Sequence, residues 1–374
     1  MTSTPASPAP AGPPGPLPVT VLTGFLGAGK TTLLNSLLAD PALSDTAVLI
    51  NEFGEIGLDH LFVREVKDGV VLLASGCVCC TVRGDLVAAL EDLLRGRDNH
   101  RLPPFSRVMI ETTGLADPAP ILFTLMTHPY LVLRYRLDGV VTVVDAVNGM
   151  ATLDAHPEAV KQAAVADRIV LTKTDLLEDS DAGLQVRLAQ LAPGARILDA
   201  ARGEATAAAL LDAGLYDASS KIPDVSRWLA EERIAAAETQ SSHDPNRHDD
   251  RIRAFTIATD AAVSVSTLDL FLELLRATYG EKLLRLKGVV KLADDPTAPV
   301  VLHGVQHVMH PPVRLDAWPD DDHRTRLVMI VRDMEPDVVK RLFAAFMGIP
   351  QIDTPDRAAL IDNPLAPAGM RAGR

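Results

Sequence analysis

Gly24-Phe25-Leu26-Gly27-Ala28-Gly29-Lys30-Thr31 matches the pattern G-x-x-x-x-G-K-[ST], and its flanks supply the setting that pattern needs. Val19 to Thr23 (VTVLT) is a short β-rich run, and Thr31 to Leu38 carries a helical pattern. The order strand, glycine-rich loop, helix turns backbone N–H groups inward around phosphate oxygens at a helix N-terminus. Lys30 then reaches the β- and γ-oxygens, and the Thr31 hydroxyl ligates Mg²⁺. Gly24, Gly27, Ala28, Gly29, Lys30, Thr31 and Thr32 are the expected nucleotide contacts, with Lys30 also the catalytic cation.

Outward from this loop, further apolar strand candidates are Ala47 to Asn51, Val70 to Leu73, Arg107 to Glu111, Gly139 to Asp145 and Arg168 to Thr172. Helix-length segments lie between them, notably Asp85 to Arg95 and Pro157 to Ala166. Apolar strands alternating with helices predict an α/β fold, a doubly wound P-loop sheet with helices on both faces. Around Ser241 to Arg251 the sequence turns polar and loses periodicity, which marks an interdomain loop. Strand candidates at Ile252 to Ile257, Val289 to Leu292, Val300 to Leu302 and Arg326 to Arg332 follow, with helices at Ser266 to Tyr279 and Pro336 to Met347. The expected organisation is a Pro-rich disordered leader over 1–18, a nucleotide domain over 19–220, a linker over 221–251, a smaller α+β domain over 252–350 and a loose tail over 351–374.

Composition narrows the function. Across 374 residues, 47% are hydrophobic and 23% charged, enough for one sizeable core and a second smaller one. A net charge of -13 disfavours a surface built to neutralise a phosphate backbone, so no nucleic-acid partner is expected. No apolar stretch reaches the roughly 18 residues of a membrane span. The leader lacks a basic region followed by an apolar one, unlike a signal peptide.

Three more segments carry chemistry. Thr172-Lys173-Thr174-Asp175 follows a strand and resembles the guanine-reading [NT]-K-x-D motif. The Asp175 carboxylate can accept from guanine N1–H and the 2-amino group, a donor pair adenine lacks; leaving it unsatisfied costs roughly 1–3 kcal/mol or more. Thr at the first position removes an amide that would brace the loop. Glu111-Thr112-Thr113-Gly114 ends another strand, where Glu111 can hold Mg²⁺ directly or through water and Gly114 lets the backbone approach a γ-phosphate. Asn51-Glu52-Phe53-Gly54-Glu55 offers acids to position an attacking water, Glu52 first and Glu55 second, with plain loop acids as the alternative.

All three cysteines fall within Cys77-Val78-Cys79-Cys80. Thiolates at i, i+2 and i+3 converge on one soft cation more readily than they form unstrained disulfides. Three sulfurs leave one position of a tetrahedral zinc site open or filled from elsewhere, so the metal can exchange. Free thiols also point to a reducing compartment, and a cytoplasmic location is expected. The competing readings are buried cysteines acting as small hydrophobes and a redox role for Cys77 and Cys80.

GFLGAGKTT, NEFGEIGLD, GCVCC, ETTGLADP, LDGVVTVVDA and ADRIVLTKTDL, in that order, with KLLRLKGVV and HGVQHV further on, resemble the CobW-like metallochaperone GTPases over roughly Pro18 to Gly348. The resemblance implies a SIMIBI-class G domain with a smaller C-terminal domain for client contacts. It implies GTP hydrolysis to GDP and phosphate coupled to delivery of zinc, or in the alternative cobalt or another metal, to a metalloprotein client; a metal-independent regulatory GTPase with incidental cysteines is the competing reading of the residues. It further implies that Cys77, Cys79 and Cys80 hold that metal and that the chain forms a nucleotide-dependent homodimer. The long His-rich stretch of many relatives is missing here; only His243 and His248 stand in the polar loop, while His303, His307 and His310 read as structural.

Overall fold

The computed structural model describes residues 15–51, 62–65, 71–75, 83–177, 182–211, 252–306, 308–309 and 312–348. Its first sheet has eight strands: β1 (Leu17–Gly24), β2 (Thr46–Asn51), β3 (Phe62–Glu65), β4 (Val71–Ser75), β5 (Arg107–Glu111), β6 (Tyr135–Asp145), β7 (Arg168–Thr172) and β8 (Arg196–Asp199). They lie in the order β3-β4-β2-β5-β1-β6-β7-β8, parallel except for β3, which runs antiparallel to β4 at one edge. β6 is buried at nine of its eleven positions, as a central strand covered on both faces must be.

The helices that cover the sheet are α1 (Lys30–Leu38), α2 (Arg83–Asp98), α3 (Ala119–Thr127), α4 (Leu131–Arg134), α5 (Gly149–Ala155), α6 (Pro157–Ala164), α7 (Ala182–Leu191) and α8 (Ala207–Leu210). One face packs Val19, Leu49 and Ile110 against Leu90, Leu93 and Leu122 of α2 and α3. The other packs Leu22, Val48 and Val170 against Leu33, Leu34 and Leu37 of α1. Helices on both faces of a mostly parallel sheet make the doubly wound architecture expected from the sequence.

The second sheet comprises β9 (Ile252–Thr259), β10 (Leu283–Val290), β11 (Val300–Val305), β12 (Val308–Met309), β13 (Val313–Arg314) and β14 (Thr325–Arg332). Its order is β12-β11-β10-β14-β9, with β13 also pairing β11, and every pairing is antiparallel. Helices α9 (Val265–Tyr279) and α10 (Pro336–Phe346) pack on it. Leu268, Phe271, Leu272 and Leu275 fall at i, i+3, i+4 and i+7 of α9, a single apolar stripe. The Ser264 side chain caps this helix by accepting from the Thr267 N–H at 3.0 Å.

Two expectations are corrected. β1 begins at Leu17, inside the stretch assigned to the leader, because Pro18 sits near the start of the strand, where a missing N–H is tolerated. The strand expected at Val289 to Leu292 runs instead from Leu283 to Val290 and is buried throughout, Arg285 and Lys287 included. The two sheets meet where α6 lies against β10, α3 against β12 and α7 against β9. Val305 of β11 joins the core of the first sheet. Across this contact Arg285 donates to Asp167 Oδ1 at 2.8 Å and to the Ala166 carbonyl, and the Lys287 ammonium lies 3.6 Å from the same carboxylate oxygen. No helix among the described residues is long and apolar enough to cross a membrane.

Candidate functional site

Because β1, β2, β4, β5, β6 and β7 are parallel, their carboxyl ends share one rim of the sheet, where open α/β folds place their ligands. The loop after β1 turns there. Gly24 has φ 141°, and a Cβ on it would sit 2.3 Å from the Val143 carbonyl oxygen, so only glycine lets the loop leave the sheet this way. Gly29, at φ 91°, caps α1, whose first residues are Lys30, Thr31 and Thr32. Their N–H groups open the helix and form an anion site with its dipole.

Thr31 Oγ1 donates to Glu111 Oε1 at 2.7 Å, bringing the P-loop hydroxyl and the acid at the end of β5 together. The Lys30 ammonium donates to the Phe25 carbonyl at 3.1 Å, folding the side chain back over its own loop. Burial lowers the Lys30 pKa from its ordinary value, and the Glu111 charge opposes part of that shift. Thr112, next to Glu111, donates to Thr23 Oγ1 at 2.9 Å, tying the loop after β5 to the end of β1.

At the end of β7 the missing amide is compensated. Thr172 Oγ1 donates to the Ala28 carbonyl at 2.7 Å, so a hydroxyl braces this loop against the P-loop, where the sequence pattern suggested a lost brace. Lys173 adopts φ 59° and its ammonium lies 2.6 Å from Asp145 Oδ2 at the end of β6. Burial would raise the Asp145 pKa, but hydrogen bonds from Asn148 and Lys173 outweigh it and hold the carboxyl below its ordinary value. Asp175 stands exposed in the following turn, and its neighbour Thr174 donates to Asp199 Oδ1 at 2.6 Å. A cavity of about 270 Å³ lies between the P-loop, the end of β6 and α5, lined by Phe25, Gly27, Asp145, Asn148, Gln162 and Lys173 among others.

Sequence reasoning missed Asp145 and Asp199. Both close apolar strands, as Glu111 does, and that shared position was the available signal. Glu52, Glu55, Cys77, Cys79 and Cys80 lie outside the described residues, as do His307 and His310. The strands leading to them are placed: Ile50 pairs with Glu111 and Asn51 with Ser75, so the chain enters both segments from the rim that carries Thr31 and Glu111. His303 is buried on β11, opposite Lys287. Among the described residues no group of three or more His, Cys, Asp or Glu side chains is placed to hold a metal.

A glycine-rich loop capping a helix, a hydroxyl and carboxylate at its mouth and a T-K-x-D turn beside it define a P-loop nucleotide-binding protein. Comparison with known families carries the assignment further. Residues 18–199 match the CobW/HypB/UreG nucleotide-binding domain, and residues 252–347 match the cobalamin synthesis protein cobW C-terminal domain. The chain belongs to this CobW family. It is 32% identical over 329 residues to the zinc chaperone YjiA of Escherichia coli (strain K12), covering 88% of this chain and 98% of that protein. It is 31% identical to the zinc chaperone CobW of Sinorhizobium sp, covering 89% and 98%. The crystal structure of Zn(II)-bound YjiA GTPase from E. coli superposes with a TM-score of 0.68 at 29% identity, covering 90% of this chain and 99% of that one.

Proposed function

We propose that this chain hydrolyses GTP to GDP and phosphate and uses the cycle to hand zinc to a metalloprotein client. The observation that carries the reading is its similarity to YjiA, a zinc chaperone, over nearly the whole length of both chains. The P-loop, the Thr31–Glu111 pair and the Lys173–Asp145 pair supply the nucleotide half. Asp175 reads guanine, and Glu52 positions the attacking water. The relatives named for zinc favour it over cobalt as cargo.

The donor set suits Mg²⁺. The Thr31 hydroxyl and Glu111 carboxylate are hard oxygens adjacent at the mouth of an anion site, so Thr31 and Glu111 would hold the ion. When bound, it neutralises charge on the phosphates. Lys30 swings from the Phe25 carbonyl to the β- and γ-oxygens.

Cys77, Cys79 and Cys80 hold zinc as cargo in an incomplete three-thiolate site, and a cytoplasmic setting keeps them reduced. GTP orders the Glu52 segment and changes the hold of the neighbouring cysteines, with a nucleotide-dependent homodimer as the working form. The test is zinc affinity, by chelator competition, with GTP, with GDP and without nucleotide, alongside phosphate release. Affinities that differ with nucleotide support the coupling; three equal affinities overturn it. Cys79→Ser abolishes zinc binding while basal hydrolysis survives, and intact binding in that variant removes the cysteines from the site.

A further inference from the structure

The loop after β5 is held from behind by one side chain that no motif includes. Gln162 of α6 is 1% exposed, and its amide nitrogen donates to the Gly114 carbonyl at 3.1 Å and to the Ala116 carbonyl at 3.0 Å. Both acceptors are carbonyls, so the amide orientation follows from chemistry: only the NH₂ end can face them. Oε1 has no hydrogen-bond partner among the described residues. The backbone of Gln162 is fixed in turn, since its carbonyl accepts from Thr142 Oγ1 on β6 at 2.7 Å.

The held segment touches the P-loop directly. A Cβ on Gly114 would lie 2.6 Å from the Leu26 backbone nitrogen and equally close to its side chain, so this glycine is packed against the loop that cradles the phosphates. Any displacement of Gly114 therefore moves it relative to a bound γ-phosphate. Just beyond, the Lys161 ammonium lies 2.8 Å from Asp117 Oδ2, and Gln306 of the second sheet donates to the same oxygen at 3.2 Å. Asp117 ties the far end of the segment, while Gln162 grips the two carbonyls that bracket Leu115.

We propose that Gln162 is a positioning residue for GTP: its paired amide bonds pre-set the Gly114 backbone at the place the γ-phosphate occupies. The inference rests on the GTPase reading above. Two donors fastening two peptide groups on either side of one residue fix its orientation as well as its position, which one bond cannot do. GDP lacks the γ-phosphate and does not use this segment, so the residue sets preference between the two nucleotides rather than general affinity.

The experiment measures GTP-analogue and GDP affinity with Mg²⁺, and kcat and KM for GTP, in the full chain and in Gln162→Met and Gln162→Glu. Met keeps the length and removes both donors without adding charge. Loss of the pair weakens GTP binding roughly tenfold and lowers kcat, while GDP affinity stays within about twofold of wild type. Glu also keeps the length, but it offers the two carbonyls only acceptors while ionised and regains one O–H donor when protonated. The GTP-over-GDP preference of Gln162→Glu therefore recovers towards wild type as pH falls. Equal weakening of GTP and GDP in both variants would make Gln162 a merely structural residue and overturn the proposal, as would unchanged GTP affinity and kcat. A wild-type chain that fails to bind GTP at all would overturn the GTPase reading instead, so the two failures are distinguishable.

Discussion

Asp167→Asn tests what joins the two sheets. Asp167 is 5% exposed, and the two cations on β10 that face it, Arg285 and Lys287, are 2% and 5% exposed. Asn keeps the shape and can still accept from the Val140 N–H, which Asp167 Oδ2 binds at 3.0 Å. The substitution removes the charge and puts an NH₂ donor where Oδ1 accepted from Arg285. Removing one partner of a buried ion pair leaves the other uncompensated and costs about 3–5 kcal/mol. With two cations left facing a neutral amide, the upper part of that range is expected. The assay is urea unfolding at neutral pH, followed by far-UV circular dichroism and by intrinsic tryptophan fluorescence. Replacing both cations as well, in Asp167→Asn with Arg285→Met and Lys287→Met, recovers much of the loss, because that cluster then carries no buried charge. Acid gives a second check. Burial would raise the Asp167 pKa, but Lys287 and Arg285 outweigh it and hold it below the ordinary 3.8. A depressed carboxyl contributes its full stability above the unfolded value and loses it as pH falls through the folded one. The wild-type and Asp167→Asn stabilities therefore converge below pH 3.8. A loss under about 1 kcal/mol at neutral pH, or a triple variant no more stable than Asp167→Asn, would refute the reasoning.

Three further outcomes follow from the nucleotide site. Phosphates favour charged Lys30, whose pKa in the free protein lies below 10.5, so GTP affinity falls as pH rises through that lowered value; calorimetry in buffers of different protonation enthalpy detects proton uptake in that window, and none would contradict the assignment. Thr172→Val removes the hydroxyl bonded to Ala28 and weakens both GTP and GDP by about fivefold, roughly 1 kcal/mol, measured by fluorescent-nucleotide titration. Asp175→Asn replaces an acceptor by an amide that can donate to the C2 carbonyl of xanthine, so GTP affinity drops at least about tenfold and xanthosine triphosphate gains, read by competition binding.

Local pattern was enough for the elements that bind phosphate. β5 and β7 occupy the spans expected from their apolar runs, and the P-loop lies between a strand and a helix as its glycines and Lys30 demand. Each of those signals is contained within a few residues. The brace at Thr172 was not legible, because its acceptor, Ala28, is 144 positions away and becomes a neighbour only when β7 and β1 share a rim. Gln162 was hidden for the same reason: on α6 it reads as one polar residue of an amphipathic helix, and its role depends on carbonyls 46 and 48 positions earlier.

β10 shows the physical cause most directly. In LLRLKGVV, Arg285 and Lys287 interrupt an apolar run, and charges at such positions ordinarily mark a solvent face; the strand expected at Val289 to Leu292 therefore shares only Val289 and Val290 with the observed one. The strand is buried instead because its counter-charge, Asp167, comes from the turn between α6 and β7, beside the other sheet. Burying two cations is tolerable only if an anion is fixed opposite them, so charged residues inside an otherwise apolar strand are themselves a signal that another part of the chain must dock there. The docking in turn places Gln306 beside Asp117, at the end of the loop that Gln162 holds against the P-loop. A contact that neutralises buried charge thus sets the second sheet against the segment that packs on the P-loop at Leu26.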